Sequence, residues 1–107
     1  MGAFNFDKAA AEMRERAETW SEPLRAVSMS VGIYLLAAGS KDEQTPHRED
    51  ETYYVVRGRA VLRIGSSTRA VAPGDCIFVA NGVTHRFEDI SEDLKVLVVF
   101  APPYSGD

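Results

Sequence analysis

The sequence predicts an all-β barrel or sandwich preceded by one α-helix, and three observations lead there. Short runs of β-branched and aromatic residues recur between turn signals along most of the chain. Those turn signals are Arg57-Gly58, Gly65-Ser66-Ser67, Pro73-Gly74-Asp75 and Asn81-Gly82. Only one segment, near the start, carries a helical stripe. At 107 residues the chain is one domain, able to bury a single core without staples.

The helix is expected from Asp7 to Trp20. Phe6, Ala10, Met13, Ala17 and Trp20 recur at alternating spacings of four and three, and Glu12, Glu15 and Arg16 fill the other faces. Asn5 or Asp7 can cap its start, and Ser21-Glu22-Pro23 should end it. Such a helix either packs on the outside of a sheet or serves as a lid. Residues 1–25 are thus a helix and lead-in packed on a barrel that occupies residues 26–107.

From Ala26 the texture is β. Val27, Met29, Val31, Ile33 and Leu35 alternate with Ser28, Ser30, Gly32 and Tyr34. Lys41 to Gln44 is a polar loop. Thr52–Val56 and Arg59–Ile64 read as two strands joined tightly at Arg57-Gly58. A short strand, Arg69–Ala72, precedes the Pro73-Gly74-Asp75 turn. Cys76–Ala80 reads as a buried strand, Thr84–Glu88 as a strand exposing polar residues, and Leu94–Ala101 as an apolar strand. Pro102-Pro103 should end the order. Val96 to Phe100 has no polar face, so it is covered on both sides or forms a subunit interface; a homodimer is expected.

Composition narrows the function classes. The formal net charge of -4 argues against a nucleic-acid partner. No apolar run approaches the roughly 20 residues of a membrane span, and no signal-peptide pattern opens the chain. The single cysteine, Cys76, cannot form an internal disulfide, which suits a reducing cytoplasm; it reads as a small buried hydrophobe rather than a nucleophile.

The chemistry gathers between Thr45 and Asp89. The chain has two histidines, His47 and His85, and Glu51 stands four residues after the first. Two imidazoles and a carboxylate suit a borderline divalent metal and leave positions free for a ligand. Two histidines in a barrel can also be satisfied polar residues, so a metal site and an empty barrel are the competing readings. If Glu51 points inward, alternation places Tyr53 and Val55 on its face, and His85 carries Phe87 with it. Arg57, Arg59 and Arg63 are either anchors for an anionic substrate or solvated charges, and Glu88, Asp89, Glu92 and Asp93 read as a solvated acidic loop.

The spacings Gly39-x5-Thr45-x-His47-x3-Glu51-x6-Gly58 and Gly74-x5-Ala80-x-Gly82-x2-His85-x3-Asp89 resemble the two motifs of the cupins, with 15 residues between them. The resemblance covers about Val27 to Phe100. It implies a small single-domain cupin: a double-stranded β-helix, or jelly-roll barrel, holding a divalent metal ion (Fe, Mn, Ni or Zn) at its mouth. Matched residue by residue, it implies His47, Glu51 and His85 as metal ligands. Thr45 stands where the family usually has its first histidine, Ala80 replaces a proline and Asp89 an asparagine. Gln44 is the first candidate for a fourth ligand, ahead of water alone and of Glu49, with Thr45, Tyr53, Val55 and Phe87 lining the pocket. The family's reactions include oxygenation, isomerisation and lysis, so a small organic substrate is expected; a non-catalytic binding or structural module is the alternative. Metal binding should weaken below a pH of about 6.5, where imidazole protonates.

Overall fold

The computed structural model describes residues 1–44 and 46–106. Helix α1 spans Phe6–Glu15. Six strands follow: β1 Trp20–Arg25, β2 Ser30–Leu36, β3 Asp50–Ile64, β4 Ser67–Val71, β5 Cys76–Val79 and β6 His85–Ala101. All strand pairs are antiparallel.

The helix starts where expected, with the Asn5 side chain accepting from the Lys8 N–H at 2.9 Å. It ends five residues earlier than the stripe suggests. Ala17 takes a left-handed φ of 55°. The Glu18 N–H then reaches back to the Met13 carbonyl at 2.9 Å and the Ala17 N–H to that of Arg14 at 3.2 Å, a Schellman stop built on alanine. Trp20 therefore opens β1 instead of closing the helix. Ala10 and Met13 are the buried residues of α1, and the helix packs on β1 and β2.

Ser21-Glu22-Pro23 lies inside β1 rather than ending a helix. Among the described residues β1 pairs only with β2, and its register shifts between Ser21 and Leu24, which is where Pro23 cannot donate to a ladder. Val27 belongs to the β1–β2 turn, not to a strand, and is 99% exposed; the turn is closed by the Ala26 N–H on the Met29 carbonyl at 2.8 Å.

β3 and β6 are each one long bent strand, not the two separate strands expected for each. The first half of β3, Asp50 to Val55, pairs with the end of β6, and its segment Glu51 to Tyr54 pairs on the other side with β5. Its second half, from Ala60 to Ile64, pairs with β4, and Val61 to Ile64 also pair with the start of β6. Register shifts between Val55 and Val61 mark the bend. Gly58 has φ 95°, and a Cβ there would lie 2.3 Å from the Asp93 carbonyl oxygen. The Arg57-Gly58 signal is thus a bend inside a strand, pressed against its neighbour. Asp89, at φ 46°, makes the matching irregularity in β6. This bending folds the sheet across itself into the double-stranded β-helix.

The core fills the fold. Tyr53, Val55, Leu62, Phe87, Leu94, Val96 and Val98 are all 2% exposed or less. In β6, Val96, Val98 and Phe100 are buried while Leu97 and Val99 are half-buried. Cys76 is exposed, against expectation, and Phe78 on the same short strand is 61% exposed. The acidic residues expected in a loop lie within β6. There Glu88 pairs with Arg63 at 2.8 Å and Glu92 with Arg59 at 3.4 Å, so neither arginine is an anion anchor. The chain stays ordered past Pro103: the Tyr104 N–H donates to Ser30 Oγ at 2.9 Å, and Arg25 donates to the Tyr104 carbonyl at 2.9 Å.

Candidate metal centre

His47 precedes β3, Glu51 is the second residue of β3, and His85 opens β6. The turn at Asn81-Gly82 docks these ends together. The Gly82 N–H donates to the His47 carbonyl at 2.7 Å, and the Asp50 carboxylate accepts from the Asn81 N–H at 2.8 Å and from its side chain at 3.0 Å. Those two bonds, the backbone one first, hold the Asp50 carboxyl below its usual range.

The three side chains converge. One ligand atom from each lies within 4.8 Å of the others. His85 Nε2 is 2.6 Å from Glu51 Oε1, and His47 Nε2 is 3.9 Å from the same oxygen. All three are buried, at 8%, 2% and 2% exposure for His47, Glu51 and His85.

The donor set fits a bound cation. His85 Nδ1 lies 2.8 Å from the Val83 carbonyl. A carbonyl only accepts, so Nδ1 carries the proton and a neutral ring turns a bare Nε2 lone pair toward Glu51. Both Glu51 oxygens, His85 Nε2 and His47 Nδ1 lack a hydrogen-bond partner among the described residues. A buried carboxylate with no partner is strongly unfavourable, by several kcal/mol in order of magnitude. Positive charge between the rings and the carboxylate relieves it, either a metal ion or a proton on His85. Burial works to lower the His85 pKa, but the Glu51 carboxylate and the Val83 carbonyl outweigh it and hold it above 6.5.

Gln44 stands beside the cluster. Its Oε1 is 3.3 Å from His47 Nε2 and accepts from the Tyr53 hydroxyl at 3.0 Å. Its amide nitrogen donates to Asp42 Oδ2 at 2.6 Å, which fixes which end of the amide faces the histidine. Asp42, buried in a segment read only as a polar loop, also accepts from the Tyr34 hydroxyl at 2.7 Å and the Phe87 N–H at 2.8 Å. Burial, and then Asp42, push the Tyr34 phenol well above its ordinary value; burial does the same to Tyr53. Both phenols stay protonated and act as donors. Glu49 is buried with an unpartnered Oε1 but lies outside the three-residue cluster.

A cavity of about 320 Å³ opens onto His47 and Glu51. Gln44 and Tyr53 complete its polar floor; Trp20, Tyr34, Val98, Phe100 and Tyr104 form its walls, with Glu43 also lining it. Tyr53 lines this cavity. Val55 and Phe87 do not: alternation placed them on the right face, but they lie deeper in the core, with the Phe87 ring 5.0 Å behind that of Tyr53. Thr45 lies outside the described residues. Trp20 and Tyr104 were missed because one was assigned to a helix and the other to a disordered end. Tyr104 stacks on Phe100 at 4.7 Å and meets His47 edge-on at 5.5 Å.

Known proteins share this fold. A protein of Streptomyces coelicolor described only as uncharacterized is 49% identical over 105 residues, spanning 98% of this chain and all of that protein. The fold is similar to the crystal structure of TT1209 from Thermus thermophilus, with a TM-score of 0.78, 24% identity, and coverage of 96% of this chain and 99% of that one. It is also similar to an RmlC-like cupin family protein with a double-stranded β-helix fold from Methanocaldococcus jannaschii, with a TM-score of 0.70, 15% identity and 78% of each chain covered. Residues 32–100 match the family described as Cupin domain, and the chain belongs to that family.

Proposed function

We propose that this cupin is a mononuclear divalent-metal enzyme acting on a small organic molecule, with His47, Glu51 and His85 as ligands and Gln44 Oε1 as the fourth. The observation that carries the proposal is the convergence of one buried ligand atom from each of His47, Glu51 and His85, with both Glu51 oxygens and His85 Nε2 left without a hydrogen-bond partner among the described residues. A divalent ion such as iron, manganese, nickel or zinc supplies Lewis acidity to an oxygen donor of the ligand. The protein's own groups do the rest. Val83 fixes the His85 tautomer through Nδ1, and Asp42 orients Gln44. Tyr53 donates to Gln44 Oε1, which steadies that oxygen beside His47. The rings of Trp20, Phe100 and Tyr104 enclose one side and limit water there, which strengthens every polar contact in the site.

The walls suit an apolar ligand body, so small ketones and aromatic carbonyl compounds are the first substrates to try. The test is product detection by mass spectrometry for a panel of these, with protein loaded in turn with each of the four metals. Turnover that is lost in Glu51→Gln supports the enzyme reading. No turnover with any metal contradicts it and leaves a binding module.

A further inference from the structure

We propose that the cavity selects its ligand by charge: it admits small molecules whose outer part is uncharged or cationic and refuses those whose outer part is anionic. This deepens the reading above and relies on it only for which end of the ligand faces the histidines.

Three observations carry the inference. First, five of the lining residues carry aromatic rings, Trp20, Tyr34, Tyr53, Phe100 and Tyr104, and aromatic faces attract cations and disfavour anions. Second, the charged lining residues are Glu43 and Glu51, and none is lysine or arginine. Arg25, which reaches the Tyr104 backbone, is occupied by that carbonyl and by the Glu22 carboxylate at 3.1 Å. Third, two of the lining tyrosine hydroxyls are committed as donors to protein acceptors, Tyr34 to Asp42 and Tyr53 to Gln44. The cavity therefore presents carboxylates, an amide oxygen and rings, with no counter-charge for a carboxylate, sulfonate or phosphate held among them. A divalent ion at the cluster would be offset in part by Glu51 and would serve only the inner end of the ligand. Ligands carrying a phosphate or acid group at the outer end are excluded on these grounds, and flat uncharged molecules or organic cations are accepted.

Trp20 is the sole tryptophan of the chain and lines the cavity, so its fluorescence reports occupancy. The experiment titrates three probes of similar size, phenyltrimethylammonium, acetophenone and benzenesulfonate. Each is added to chelator-treated protein and to zinc-loaded protein, with N-acetyltryptophanamide correcting for collisional quenching. The expected result is saturable quenching of the chelated protein by the first two at concentrations at least tenfold below those for benzenesulfonate, with a smaller gap in the zinc-loaded protein, where the sulfonate can turn inward to the ion. Glu43→Lys, at an exposed position, should narrow or reverse that gap. Equal or tighter binding of benzenesulfonate by the chelated protein, or no saturable quenching by any probe, overturns the proposal. Failure of the protein to take up zinc, read by elemental analysis of the same sample, would count against the metal centre alone, because the ranking is still read on the chelated protein.

Discussion

Asp42 shows how much one side chain positions. Its two oxygens accept from Tyr34, Gln44 and the Phe87 backbone, all at 2.6–2.8 Å. Asparagine offers one acceptor oxygen in place of two, so Asp42→Asn leaves a buried donor unsatisfied, a loss of about 1–3 kcal/mol. Urea unfolding should show that loss, and metal affinity should fall with it, because Gln44 is released. A variant as stable as the native protein would contradict this role. None of this was legible beforehand: Asp42 sits in a run of polar residues, and one of its donors, the Phe87 backbone N–H, lies 45 residues away. His47, Glu51 and His85 were legible because the chain has two histidines and both, with Glu51, fall at the spacings of two motifs. Gln44 was legible as a candidate through its position, and the structure sets its carbonyl beside His47.

At the scale of elements, Gly58 and Gly74 form a natural pair. Both have φ 95°, but a Cβ at Gly74 meets nothing within 4 Å, whereas at Gly58 it would strike the Asp93 backbone. Gly74→Ala should therefore lose only the left-handed penalty, about 1–2 kcal/mol. Gly58→Ala should lose at least twice as much, since two backbones must separate. Equal losses on chemical denaturation would mean that the β3–β6 bend is not tightly packed. The same pair explains what the sequence hid. A glycine at positive φ signals a turn and a mid-strand bend alike, and the neighbour that decides between them lies some 35 residues away. Periodicity had the same blind spot at α1, where the stripe ran on to Trp20 although the helix stops at Glu15. The strand segments and their inward faces were otherwise readable from alternation. Depth along the barrel was not, which is why Val55 and Phe87 were placed in the pocket.

For the whole molecule, metal and proton compete for His85, and the two states of the protein should respond to pH with opposite sign. Without metal, the His85 pKa is held above 6.5. Its contribution to stability is fully present below about 6.5 and is lost as pH rises through the raised value. With metal, the ligand must be unprotonated, so stabilisation by the ion grows as pH rises past about 6.5. The difference in Tm between metal-loaded and chelated protein should widen steadily from pH 6 to pH 8. A difference that stays constant over that range would argue against imidazole ligation.

We propose above that His47, Glu51 and His85 form a metal centre at the barrel mouth. Elemental analysis of the purified protein beside a His47→Ala, His85→Ala double variant tests it most directly. About one equivalent of one divalent metal is expected in the native protein, present on purification or restored by added ion, and its loss in the variant. Equal, sub-stoichiometric metal in both proteins, unchanged by added ions, would contradict it.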